Sequence, residues 1–251
     1  GSDAEGGAVV VMDVRTGKIL ACASYPTYNL STMHEDWKEI EENPYNPFFN
    51  RAFGAEYPPG STFKMCTLIA AMENKNSKGE IIHPYKTEIK DEGVYTKYAG
   101  FTPTCLAWTS GRYTHGVIDA SLALCYSCNY FFYELGDLMN EDMPVETAKQ
   151  LGLGVPTGIE LVEKTGKLNT TERKREVYGT GVNANFSAGD RILGAIGQGE
   201  HRFTPLQLCV YVATLANKGT RMKATFLSRV VSSDYRTLIY ENKPIVESQM
   251  D

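Results

Sequence analysis

Apolar and polar positions first fall into a regular pattern near the N-terminus. Ala8 to Met12 is an apolar, β-prone run; Asp13-Val14-Arg15-Thr16-Gly17-Lys18 follows, and Ile19 to Ala23 is a second apolar run. Two such runs around a glycine-containing turn predict a β-hairpin, ended by Tyr25-Pro26. Residues 27–56 carry many Asn, Pro and aromatic side chains without clean periodicity, and read as a long surface excursion. Tyr57-Pro58-Pro59-Gly60 then breaks the chain, and Ser61 to Asn74 is the strongest helix pattern in the sequence. Phe63, Met65, Cys66, Leu68, Ile69, Ala70, Ala71 and Met72 surround nearly its whole circumference, so this helix belongs inside a core.

Further helices are predicted over 119–125, 130–139 and 145–151. Another runs over 206–217, with Thr204 as N-cap and Pro205 in its first turn. Residues 80–104 and 226–240 have strand-like stretches. Gly152-Leu153-Gly154-Val155-Pro156-Thr157-Gly158 has the wrong spacing for a dinucleotide fingerprint and follows a helical stretch, so it reads as a loop. A hairpin, then helices, then late strands predict a mixed α/β (α+β) domain.

Composition narrows the class of protein. With 42% hydrophobic and 22% charged residues the 251-residue chain is globular, not disordered. A net charge of −5 without a Lys/Arg stripe argues against a nucleic-acid partner. No apolar run approaches the roughly 18 residues of a membrane span. Gly1-Ser2 reads as the remnant of a cleaved tag, so any anchor is expected to lie outside this sequence. Six cysteines are spread along the chain, and Cys125 and Cys128 form one C-x-x-C. With no second such pair and four scattered histidines, the cysteines read as packing residues, and no metal or cofactor is expected.

The candidate chemistry starts with Ser61 and Lys64, an S-x-x-K at the start of the core helix. Residues three apart on a helix share a face, which brings an amine beside a hydroxyl. Serine becomes a competent nucleophile when a neighbouring base takes its proton. Lysine can be that base once burial lowers its pKa from about 10.4. Ser127-Cys128-Asn129 adds a second hydroxyl, suited to relaying a proton, and an amide suited to binding a substrate peptide group.

S-x-x-K followed by S-x-N is the motif pair of penicillin-binding proteins and serine β-lactamases. The chain resembles the penicillin-binding proteins, most closely the monofunctional class B members. Tyr57 to Lys64 looks like their nucleophile segment, and Met12 to Ala21 resembles their opening hairpin. Asn50-Arg51-Ala52, His115-Gly116, Ser127 to Phe132, Ala195 to Gly199 and Thr204 to Gln207 follow in the family's order. The resemblance implies the penicillin-binding protein/serine β-lactamase-like fold, an antiparallel sheet flanked by helices. It also implies a DD-transpeptidase in which Ser61 is acylated by the D-Ala-D-Ala end of a peptidoglycan stem peptide, Lys64 and Ser127 move protons and Asn129 binds substrate. β-Lactams would acylate the same serine. The implied setting is the extracytoplasmic face of the bacterial membrane, among other cell-wall synthesis proteins, with any membrane contact made through an anchor absent here.

The family's third motif, Lys-Thr/Ser-Gly on a late strand, is not found from residue 200 to Asp251. Lys164-Thr165-Gly166 matches its letters but precedes the Gln198 block, in a stretch expected to be a variable loop. Residues 1–251 are therefore expected to be a partial transpeptidase domain lacking its late C-terminal strands, and inactive or nearly so by itself. The alternatives are a serine β-lactamase, which would turn antibiotic over, and a non-catalytic β-lactam sensor or scaffold.

Overall fold

The alternation over the first 25 residues resolves into β1 (Gly7–Met12) and β2 (Ile19–Tyr25), paired antiparallel with a register shift between Val11 and Met12. The computed structural model describes residues 4–250, so the tag remnant Gly1-Ser2 lies outside the described residues. In chain order the other helices and strands are α1 (Trp37–Glu42), α2 (Lys64–Glu73), β3 (Ile89–Asp91), α3 (Leu106–Gly111), β4 (Gly116–Ile118), α4 (Ala120–Cys125), α5 (Asn129–Leu138), α6 (Asp142–Gln150), α7 (Thr171–Tyr178), α8 (Ala188–Gly194), α9 (Pro205–Ala216), β5 (Thr220–Met222), β6 (Arg229–Val231), β7 (Leu238–Glu241) and β8 (Val246–Gln249). The content is mixed, as the patterning predicts, and every strand pair is antiparallel: β1–β2, β3–β4, β5–β8 and β6–β7.

The chain divides into two compact units. One takes the residues up to Tyr57, Lys149–Gly166 and the residues from Arg202 onward. Here α9 packs on β1, and Ile159, Leu206, Val210 and Ala224 form a core joined by Val10, Met12 and Ile19. Thr204 caps α9 as predicted, accepting the Gln207 N–H at 3.1 Å, while the Gln207 side chain accepts the Thr204 N–H. Lys164-Thr165-Gly166 also lies in this unit: Lys164 donates its N–H to Phe53 O, and the Gln207 amide donates to Thr165 O at 2.7 Å. The surface excursion contains one element that the pattern did not show, α1, whose Ile40 is buried.

The other unit takes Pro58–Ala148 and Lys167–His201. Its core is built from α2, α5 and α8 and is filled by Leu68, Ala70, Ala71, Phe131, Phe132, Leu135, Ile192 and Ile196. The all-round apolar helix is buried as expected, but it starts later than the pattern suggests. Gly60–Phe63 is a 3₁₀ turn, and α-helical hydrogen bonding begins at Lys64. Pro58 and Pro59 remove two backbone donors and Gly60 takes φ 56°, so the chain enters the helix through a tight turn that exposes Ser61.

Candidate active site

Ser61 lies on the exposed 3₁₀ turn at the head of α2. By position its N–H has no intrahelical partner, which leaves a donor for an oxyanion. Two contacts fix this turn. Gly60 donates its N–H to Gly197 O at 3.0 Å, and Thr67, one helical turn further on, donates its hydroxyl to Ala195 O at 2.8 Å. Gly197 has φ 73°, and a Cβ there would stand 2.0 Å from Gly60 O. The Ala195 to Gly199 block thus braces the Ser61 turn by backbone contact that only glycine permits at 197.

Lys64 starts α2 and is 1% exposed. Its Nζ lies 2.8 Å from Ser127 O, 3.0 Å from Ser127 Oγ and 2.6 Å from Asn129 Oδ1. The Phe132 ring centroid is 5.4 Å away. Burial lowers the Lys64 pKa to about 8, against the opposing pull of Cys128 and Cys105. Three acceptors match the three N–H bonds of an ammonium. A neutral amine has two N–H bonds and a lone pair, so on deprotonation one contact must reverse. Ser127 is the one of the three acceptors with a hydroxyl proton to return.

Ser127 reaches Lys64 with two oxygens because of its backbone. At the end of α4, Ser127 N–H bonds to Leu124 O and Cys128 N–H to Ala123 O, the Schellman pattern that usually places glycine at its left-handed position. Ser127 holds that position with φ 51°, at a cost of about 1–2 kcal/mol for a residue with a Cβ. Asn129 opens the next helix, α5. The structure therefore brings Ser127 and Asn129 onto Lys64, with Ser61 one helical turn before it on the same segment.

A second cluster was not legible in the sequence. Asp91, Cys105, His115 and Cys128 place their donor atoms within 4.8 Å of one another. His115 Nδ1 is 2.8 Å from Asp91 Oδ2, Cys105 Sγ is 3.8 Å from Cys128 Sγ and 3.6 Å from His115 Nδ1, and Cys128 Sγ is 3.6 Å from Asp91 Oδ2. Donors around a tetrahedral zinc stand roughly 3.3–3.8 Å apart, and thiolate, imidazole and carboxylate are zinc's usual ligands. These four residues could hold such an ion, against the expectation of no metal ligand.

The cluster's electrostatics suit a cation. A hydrogen bond from Cys128 lowers the Cys105 thiol, while the same bond and burial push Cys128 up, so the pair shares one proton. Burial pushes Asp91 up, but bonds from the His115 and Gly93 N–H groups and the His115 ring bring it below the usual carboxylate range. Cys125, the other half of the C-x-x-C, is exposed and lies outside the cluster, so it is not the buried packing residue expected of it. The four clustered residues are separated by 14, 10 and 13 positions, and only the folding of β3, α3, β4 and the α4–α5 turn brings them together.

The family model described as penicillin binding protein transpeptidase domain matches residues 7–251. The peptidoglycan D,D-transpeptidase MrdA of Acinetobacter baumannii is 32% identical over 222 residues, covering 86% of this chain and 31% of the relative. The peptidoglycan D,D-transpeptidase PbpA of Mycolicibacterium smegmatis is 29% identical, covering 92% of this chain and 45% of the relative. Among solved structures, the penicillin-binding protein PBP2 of Helicobacter pylori superposes with a TM-score of 0.80 at 26% identity, covering 98% of this chain and 42% of that one. The chain thus spans less than half the length of these relatives.

Proposed function

Because the chain belongs to the penicillin-binding protein transpeptidase family, we propose that it carries the acyl-transfer centre of a peptidoglycan DD-transpeptidase, with Ser61 as nucleophile. The observation that supports this most is the buried Lys64 amine, held by Ser127 and Asn129 at the head of α2, directly after the turn that bears Ser61. A pKa near 8 leaves about a tenth of Lys64 neutral at pH 7, against roughly one molecule in 2,500 for an unperturbed lysine.

In this reading neutral Lys64 takes the Ser61 proton as Oγ bonds to the carbonyl carbon of the penultimate D-Ala. The Ser61 N–H supports the oxyanion. Collapse breaks the C–N bond, and the proton passes from Lys64 through Ser127 to the departing D-Ala amine. An amine from a neighbouring peptidoglycan strand then attacks the ester carbonyl, and its proton passes through the Lys64–Ser127 pair to Ser61 Oγ as the ester C–O bond breaks and the cross-link forms. Asn129 turns its Oδ1 to Lys64 and hydrogen-bonds Tyr133 through its NH₂, which leaves one N–H for a substrate carbonyl. A β-lactam enters the same path, with its ring amide as the bond that opens.

The setting is part of the same proposal. A penicillin-binding protein that resembles this chain, H. pylori PBP2, has been solved in complex with MreC, which supports a place beside other cell-wall synthesis proteins. No helix of the described residues is long and apolar enough to cross a membrane. The proposed location, the extracytoplasmic membrane face, rests on the family.

Intact mass spectrometry after incubation with benzylpenicillin tests the reading. A stable penicilloyl adduct on Ser61 of the full-length protein, lost in Ser61→Ala, is expected. No adduct, or one that survives Ser61→Ala, would overturn it, and rapid release of hydrolysed penicillin would favour a β-lactamase.

A further inference from the structure

The left-handed backbone at Ser127 aims its carbonyl and hydroxyl at Lys64, and a strained residue keeps such a conformation only where its neighbours impose it. On one side stands Cys128, buried against Cys105 and Asp91. On the other stands Tyr126, the last residue of the α4 cap, whose N–H bonds to Leu122 O and Leu124 O. Although Tyr126 is 53% exposed, its ring is held: it lies against the His115 imidazole with centroids 5.4 Å apart and planes within 8° of parallel. This is the offset-stacked arrangement that aromatic pairs favour. His115 is itself fixed, with both its backbone N–H and its ring Nδ1 on Asp91.

We propose that Tyr126 is a positioning residue for the acyl-transfer centre: by stacking on His115 it sets the turn that delivers Ser127 to Lys64. The proposal rests on the transpeptidase reading given above. The connection runs from Asp91 to His115 by hydrogen bonds, to Tyr126 by ring contact, to Ser127 through the peptide bond and to Lys64 by two more hydrogen bonds. Tyr126 acts through Ser127, and its role needs a flat ring but no hydroxyl. Phenylalanine should therefore replace it, and leucine, of similar bulk but unable to stack, should not.

The experiment compares Tyr126→Phe and Tyr126→Leu with the parent by two readouts. In this chain, hydrogen exchange is followed at the Ser127 and Cys128 amides, which close the turn on Leu124 O and Ala123 O. In the full-length protein, benzylpenicillin acylation of Ser61 is measured as a function of penicillin concentration. Tyr126→Leu is expected to speed exchange at both amides and to lower the saturating acylation rate, each by up to ~10-fold, the measured range of an aromatic pair. The half-saturating concentration should stay within about twofold, and Tyr126→Phe should match the parent in both readouts.

A Tyr126→Leu protein that exchanges and acylates like the parent would overturn the proposal. So would a Tyr126→Phe protein as impaired as Tyr126→Leu, because the hydroxyl would then carry the effect. A parent that takes no penicillin on Ser61 would sink the transpeptidase reading instead, and the exchange comparison would still decide whether Tyr126 sets the turn.

Discussion

Gly197 and Gly60 meet backbone to backbone: the Gly60 N–H bonds to Gly197 O at 3.0 Å, and the space for a Cβ on Gly197 is already filled by Gly60 O. Because Ser61 follows Gly60 directly, Gly197→Ala must push the Ser61 turn away or break the contact. The expected result is a loss of about 1–2 kcal/mol from the left-handed conformation alone, with slower Ser61 acylation. Thermal melting and acylation rate, measured together, check it. A variant that melts and reacts like the parent would show that the turn is not braced there.

Acylation should depend on pH through Lys64. Its pKa is lowered by burial, so the active neutral form is gained as pH rises, and the rate should climb to a plateau with a midpoint near 8. Replacing the amine in Lys64→Met should cost on the order of 10²–10⁴ in rate, the usual contribution of a general base. It also leaves Ser127 O and Asn129 Oδ1 without their shared donor. A flat pH profile between 6 and 9 would count against Lys64 as the base.

The Asp91–Cys105–His115–Cys128 cluster should bind zinc. Added Zn²⁺ is expected to raise the melting temperature in proportion to the logarithm of free metal, and a chelator should reverse this. Cys105→Ser should abolish the response and Cys125→Ser should leave it intact, since Cys125 is exposed and outside the cluster. Equal responses in the two variants would place the metal elsewhere.

Lys164-Thr165-Gly166 should be dispensable for chemistry and needed for folding. Lys164 is exposed, so Lys164→Ala should leave penicillin acylation unchanged. Gly166 has φ 72°, and a Cβ there would meet Gln207 Oε1 at 2.6 Å, so Gly166→Ala should lower the melting temperature. A large loss of acylation in Lys164→Ala would mean that this triplet, despite its position in the chain, serves as the family's third motif.

These contrasts show where the sequence was informative. The opening hairpin, α2 and α9 are legible because apolar period, breakers and caps agree, as in Thr204-Pro205 with Gln207. The Ser61, Lys64, Ser127 and Asn129 quartet is legible because its members come from two short motifs. By contrast α7, with a polar sequence and no buried residue, has no apolar face to detect. The six-residue α1 and α3 are too short to show a period. The Asp91–Cys105–His115–Cys128 cluster is hidden for a different reason: its members come one by one from separate elements, so no local spacing records it.

The positive φ of Ser127 sets durability and reactivity against each other. Glycine at 127 would relax the turn and raise the melting temperature, yet remove the hydroxyl that faces Lys64. Directed evolution for thermal resistance alone would drift toward glycine, while selection for the acyl transfer proposed for Ser61 would hold serine and tolerate the weaker fold. Variants recovered under the two pressures should therefore diverge at this one torsion.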